Sequence, residues 1–113
     1  MTMNEDRVQL LIPRLLEATR SGKLRWNQAG SSTAYSCSFA SGTVAVGSRD
    51  NDGIAPFFVR VYNSDSELIA STTDDSQYSI VGELYELIRV KVLRVDETFD
   101  SLLDEIGRGN RQG

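Results

Sequence analysis

The chain has 113 residues, 40% hydrophobic and 25% charged, with nine glycines against two prolines, a composition that describes one compact domain rather than an intrinsically disordered chain. Twelve Lys and Arg against sixteen Asp and Glu leave a formal charge of -4, so the drive toward phosphate backbones is missing and no nucleic-acid partner is expected. The single cysteine, Cys37, excludes an internal disulfide, and no stretch approaches the ~20 apolar residues of a membrane span, so a cytoplasmic protein without membrane contact is expected.

The first apolar stretch, "VQLLIPRLL", carries Gln9, Pro13 and Arg14 and does not read as a signal peptide. Val8, Leu11, Ile12, Leu15 and Leu16 recur at helical spacing, with Thr2 and Glu5 set as a capping box. Pro13 either bends this helix or marks where its strong part begins. Ser21-Gly22 supplies the glycine at which it ends.

From Thr33 the period changes to two. Tyr35, Cys37 and Phe39 alternate with Ala34, Ser36 and Ser38, Ser41-Gly42 makes a tight turn, and "TVAVGS" continues with Val44 and Val46 inward. After the "RDNDG" loop, "PFFVRVY" is a third strand with Phe57, Val59 and Val61 opposite Phe58, Arg60 and Tyr62; "NSDS" turns into a fourth, "ELIAST".

The remainder is helical. Val81, Tyr85, Ile88, Val92, Val95, Phe99, Leu102 and Ile106 follow one another at alternating spacings of four and three and form one stripe. Asp75, Ser76 or Ser79 caps its start and Gly107 its end. A continuous helix would be ~40 Å long and overhang a domain with a radius of gyration of ~13 Å. Either it breaks near Arg94 to Asp96, with Asp96 capping the second piece, or the stripe continues onto a partner chain; the paired carboxylates of Asp96 and Glu97 favour the break.

The expected fold is therefore α+β: an N-terminal helix, a four-stranded antiparallel meander, and one long or two short C-terminal helices packed on one face. One domain spans residues 1–106, and 107–113 form a disordered tail. The expected core is Val8, Leu11, Leu15, Tyr35, Phe39, Val44, Val46, Phe57, Val59, Val61, Ile88 and Val92.

Histidine is absent, which removes the side chain best suited to proton transfer near neutral pH. Cys37 reads as a small apolar strand residue. "SRDNDG" alternates oxygen ligands like a calcium loop, yet Val59 stands where the bidentate glutamate belongs. The acidic pairs of the last segment describe a solvated face, and no glycine-rich phosphate cradle is present. No catalytic residue, metal or cofactor is assigned.

Two surfaces remain. On the outer sheet face, Phe58, Arg60 and Tyr62 stand over small side chains, as a binding surface or as core under a covering helix. On the last helix, Val92, Val95, Phe99, Leu102 and Ile106 form a candidate oligomer interface. Trp26, in the connection after the first helix, reads as a packing anchor before a ligand contact.

The stretches "LLEATRSGKLRW", "VRVYNSDSELIAS" and "GELYELIRVKVLRVDETFDSLLDEI" together resemble small uncharacterised bacterial and phage domains that share a leading "LL..T..GKL.W" and a trailing "ELYEL" helix. The resemblance implies the helix, sheet, helix order and a prokaryotic or phage origin, and no activity. The expectation for function is a non-catalytic interaction domain that docks a protein partner or pairs as a homodimer; the alternative is a small-molecule or peptide binder on the Phe58, Arg60 and Tyr62 face with Trp26 as lid.

Overall fold

A computed structural model describes residues 5–76 and 79–109, the side chains of Glu5, Val95 and Asp96 excepted. The chain is α+β. Helix α1 (Glu5–Arg20) leads into strands β1 (Asn27–Gln28), β2 (Ala34–Phe39), β3 (Gly42–Ser48), β4 (Phe57–Asn63) and β5 (Leu68–Asp74), followed by helices α2 (Ile80–Leu93) and α3 (Val95–Arg108). The strands form one antiparallel sheet in the order β1-β2-β3-β4-β5.

The meander is as expected, with one strand more. Asn27 and Gln28 pair with Ser36 and Tyr35, an edge of two exposed residues too short to display any alternation. Elsewhere the period-two pattern holds: Tyr35, Cys37, Val44, Val46, Phe57 and Val59 are buried on one face. That face is covered by α1 and α2, whose Val8, Ile12, Leu15, Leu16, Leu84, Tyr85 and Ile88 share its cluster. The centre is aromatic: Phe57 stacks on Tyr85 at 4.7 Å between ring centroids, and Tyr35 tilts against Tyr85 at 5.7 Å.

Several core assignments shift by position. Phe39 is exposed rather than buried, because it pairs with Gly42 at the hairpin end, beyond the reach of the helices. Leu11, Val61 and Val92 are only half-buried. Ile12, Leu16, Trp26, Cys37, Ala70, Val81, Leu84 and Tyr85 complete the core instead.

Helix α1 runs through Pro13, which lies on its exposed side. It closes as a Schellman motif: the Lys23 N–H donates to the Ala18 carbonyl at 2.9 Å, the Gly22 N–H to that of Thr19 at 3.1 Å, and Gly22 takes φ 80°. The Thr2 half of the proposed capping box lies outside the described residues. Ser79 caps α2, its hydroxyl accepting from the Gly82 N–H at 3.1 Å.

The long C-terminal helix does break, one residue before α3 and by a different device from the one expected. Arg94 adopts the left-handed conformation (φ 55°, ψ 45°), caps α2 through its own N–H, and opens α3 without a side-chain cap. The α3 helix passes Gly107, ends at Arg108, and is followed by Gly109 at φ 81°; residues 110–113 of the expected tail lie outside the described residues.

Candidate functional site

Every described side chain from Glu97 to Gly109 is exposed. One face of α3 nonetheless carries Phe99, Leu102, Leu103 and Ile106, at 62, 47, 66 and 72% exposure. Helical spacing of three and four places them side by side; the side chain of Val95, the fifth expected member, lies outside the described residues. Val92, the first member, is half-buried against the core. The stripe therefore divides at Arg94: its first half faces the sheet, its second half faces solvent. The molecule measures 59 × 30 × 24 Å with a radius of gyration of 16.5 Å, against ~13 Å for a compact domain of this length, because α3 projects from the body.

Charge on α3 is as uneven as its hydropathy. It holds five carboxylates (Asp96, Glu97, Asp100, Asp104 and Glu105) against Arg108, a net of -4 that equals the formal charge of the whole chain. All other residues therefore sum to zero. Glu97 is paired with Arg94, and Asp104 with Arg108 at 2.6 Å. Asp100 and Glu105, which flank the apolar stripe on its two sides by the 100° helical step, are in no ion pair among the described residues.

Beside the elbow lies a cleft of about 360 Å³ between the connection after α1 and the end of α2, lined by Lys23, Leu24, Arg25, Trp26, Lys91 and Val92 together with Gly22. Its three cations are exposed and make no ion pair among the described residues. Trp26 is 6% exposed, and its indole N–H donates to the Thr19 hydroxyl at 3.0 Å. The packing role expected of this residue is its observed environment, and Trp26 is also among the residues that line the cleft.

The outer sheet face has the expected register: Ser36, Ala45, Arg60 and Ser71 align across β2 to β5, as do Ser38, Thr43, Tyr62 and Leu68. Among the described residues no helix covers it, yet Phe58 is only 8% exposed. Its ring lies over Gly47, where a β-carbon would come within 2.6 Å of it, and the Arg60 guanidinium sits 4.1 Å above its centroid. Phe58 and Arg60 thus satisfy each other, and Tyr62 stands half-buried two residues along the strand. Sequence reasoning missed this closure because alternation assigns a side to a residue without showing what folds over it.

Three buried groups with nucleophilic or acid-base character, Cys37, Tyr35 and Tyr85, favour their protonated forms. Burial pushes the Cys37 thiol up and raises the Tyr35 phenol; burial and then the neighbouring Tyr35 push Tyr85 up to about 12. In the 48–54 loop, the Asp52 carboxylate accepts from the Ile54 N–H at 3.1 Å and from the Ser48 hydroxyl at 2.9 Å, bonds that hold it below the usual carboxylate range. Thr33 and Asn51 close the same loop by a hydrogen bond. Among the described residues no cluster of three or more potential ligands could hold a metal ion, and no helix is long and apolar enough to cross a membrane.

The features that stand out from an ordinary small domain are thus a projecting acidic, apolar-striped helix and a basic cleft at its root. Comparison with protein-family models, with curated proteins and with solved structures finds no match to this chain.

Proposed function

We propose that this chain is a non-catalytic interaction module whose docking element is α3. The observation that carries the reading is the set of four large apolar side chains on α3 that its own domain leaves in water. Taking ~175–200 Å² for each whole residue, they present roughly 450 Å² of apolar surface, within the ~300–600 Å² of the largest patch on a typical monomer, which is often a functional one. The fold supports the division of labour. The aromatic core is built from α1, the sheet and α2, and no described α3 residue belongs to it, which leaves the helix to serve recognition. The single cysteine agrees with a role in a reducing compartment.

The test is whether the apolar face of α3 belongs to the domain's own packing. Phe99→Asp combined with Ile106→Asp is expected to lower the thermal midpoint of a dilute, monomeric sample by no more than about 4 °C, because two surface changes away from packed contacts cost less than ~0.5 kcal/mol each. The same variant should lose whatever association the native chain shows. A fall of about 10 °C or more in the monomer, the scale of losing packed apolar side chains, would place α3 on its own body and end this reading.

A further inference from the structure

Resting on the reading of α3 as a docking element, we propose its occupant: the α3 of one copy docks its apolar stripe into the Lys23, Arg25 and Lys91 cleft of a second copy, and the exchange is reciprocal, forming a twofold dimer.

Three observations lead to this arrangement. First, the charges match. Asp100 and Glu105 flank the stripe without an ion-pair partner among the described residues, and Lys23, Arg25 and Lys91 surround the cleft in the same condition. Carboxylates beside an apolar stripe meet ammonium and guanidinium groups around an apolar floor of Leu24 and Val92. Second, the cleft cannot be filled by the same chain's helix. Val92 lies in its lining, and α3 starts at Val95 after a one-residue elbow that directs it outward; no loop is present to turn the helix back.

Third, the areas favour exchange over helix-to-helix pairing. Two stripes packed on each other would bury about 900 Å² in total, below the ~1,200 Å² at which specific interfaces begin, and would bring two helices of net charge -4 together. Reciprocal docking makes two stripe-to-cleft contacts in place of one and, where each stripe is fully covered, buries up to roughly 1,800 Å², within the range of a standard interface. Rotational symmetry closes the pair, because each copy supplies one helix and one cleft.

Charge exchange between two variants of the full chain tests the proposal. Variant one is K23E/R25E/K91E; variant two is D100K/E105K. Light scattering on the native chain is expected to give twice 12.5 kDa, weakening with salt as exposed charges are screened. Each variant alone sets like charges against each other and should associate at least tenfold more weakly. An equimolar mixture restores opposite charges at both contacts, so the doubled mass should return. Trp26, the sole tryptophan, borders the cleft, and its emission should shift when the native dimer is diluted apart. Should the glutamate set fail to fold, K23Q/R25Q/K91Q carries the same test, with weakened association as the expected result.

A native dimer that survives K23E/R25E/K91E overturns the cleft as occupant while leaving α3 as the docking element. A native chain that stays at single mass at its highest soluble concentration also overturns the dimer. In that case the F99D/I106D melting experiment decides separately whether α3 still serves a different partner.

Discussion

Phe58 is a large aromatic on the solvent side of a sheet, and its immediate neighbours make it behave as core. Gly47 opposite it has no side chain, the Thr33 carbonyl closes one flank, and Arg60 lies over the ring. Removing the space is therefore more damaging than removing the ring's exposure. Gly47→Ala is expected to destabilise by about 1–3 kcal/mol, the usual cost of forcing a methyl into filled space. The cost should fall in a Phe58→Ala background, since the two residues share one volume, leaving the part due to the Thr33 carbonyl; urea denaturation of the four chains of this cycle reads the difference. An additive result would mean that Phe58 does not occupy the space above Gly47. Trp26 shows the same logic in the core, where the Thr19 hydroxyl, itself fully buried, accepts its only polar hydrogen. Among the described residues no buried side-chain nitrogen or oxygen lacks a partner, so polar groups enter this interior only with their bonds made.

At the scale of elements, the decisive residue is Arg94. A left-handed conformation is uncommon away from glycine, yet this one separates two fourteen-residue helices that would otherwise be one rod. Arg94→Gly relieves the penalty and loses only an exposed pair with Glu97. It is expected to raise stability by up to about 1 kcal/mol, whereas the β-branched Arg94→Val should lower it. Opposite shifts of the urea midpoint at constant slope check both; equal shifts would argue against the elbow. The alternating strands and the break were legible in the chain because both arise from periodicity and length. The agent of the break was not legible, since Asp96-Glu97 is a good helix start and Arg94 carries no turn signature. Strand β1 escaped notice for lack of length. The long stripe exposed a deeper limit: Val81, Tyr85 and Ile88 meet the sheet, while Phe99, Leu102 and Ile106 meet water. Periodicity reports that a helix has two faces and is silent on whether a neighbour exists.

The molecule as a whole combines a stable body with a separate appendage, and its titration behaviour belongs to the body. Burial raises both Tyr35 and Tyr85, the latter to about 12. In the unfolded chain these phenols lose their protons near pH 10, so between about pH 10 and 12 the unfolded state binds fewer protons than the native one. Stability is then full below pH 10 and declines as pH rises through that window. Melting followed from pH 8 to 12 should show the fall, and Tyr85→Phe should make it shallower at the expense of some stability at neutral pH. A native chain and Tyr85→Phe that lose stability in parallel would locate the alkaline sensitivity elsewhere.

One consequence follows from where the net charge sits. With -4 on α3 and zero on everything else, the molecule carries its net charge on the projecting helix. In an approaching cationic field it rotates before it touches, so first contact is made by the end that carries the grease as well as the charge. Encounter rates should then rise steeply in dilute buffer and flatten once the Debye length, ~8 Å at physiological ionic strength, is shorter than the helix that does the reaching.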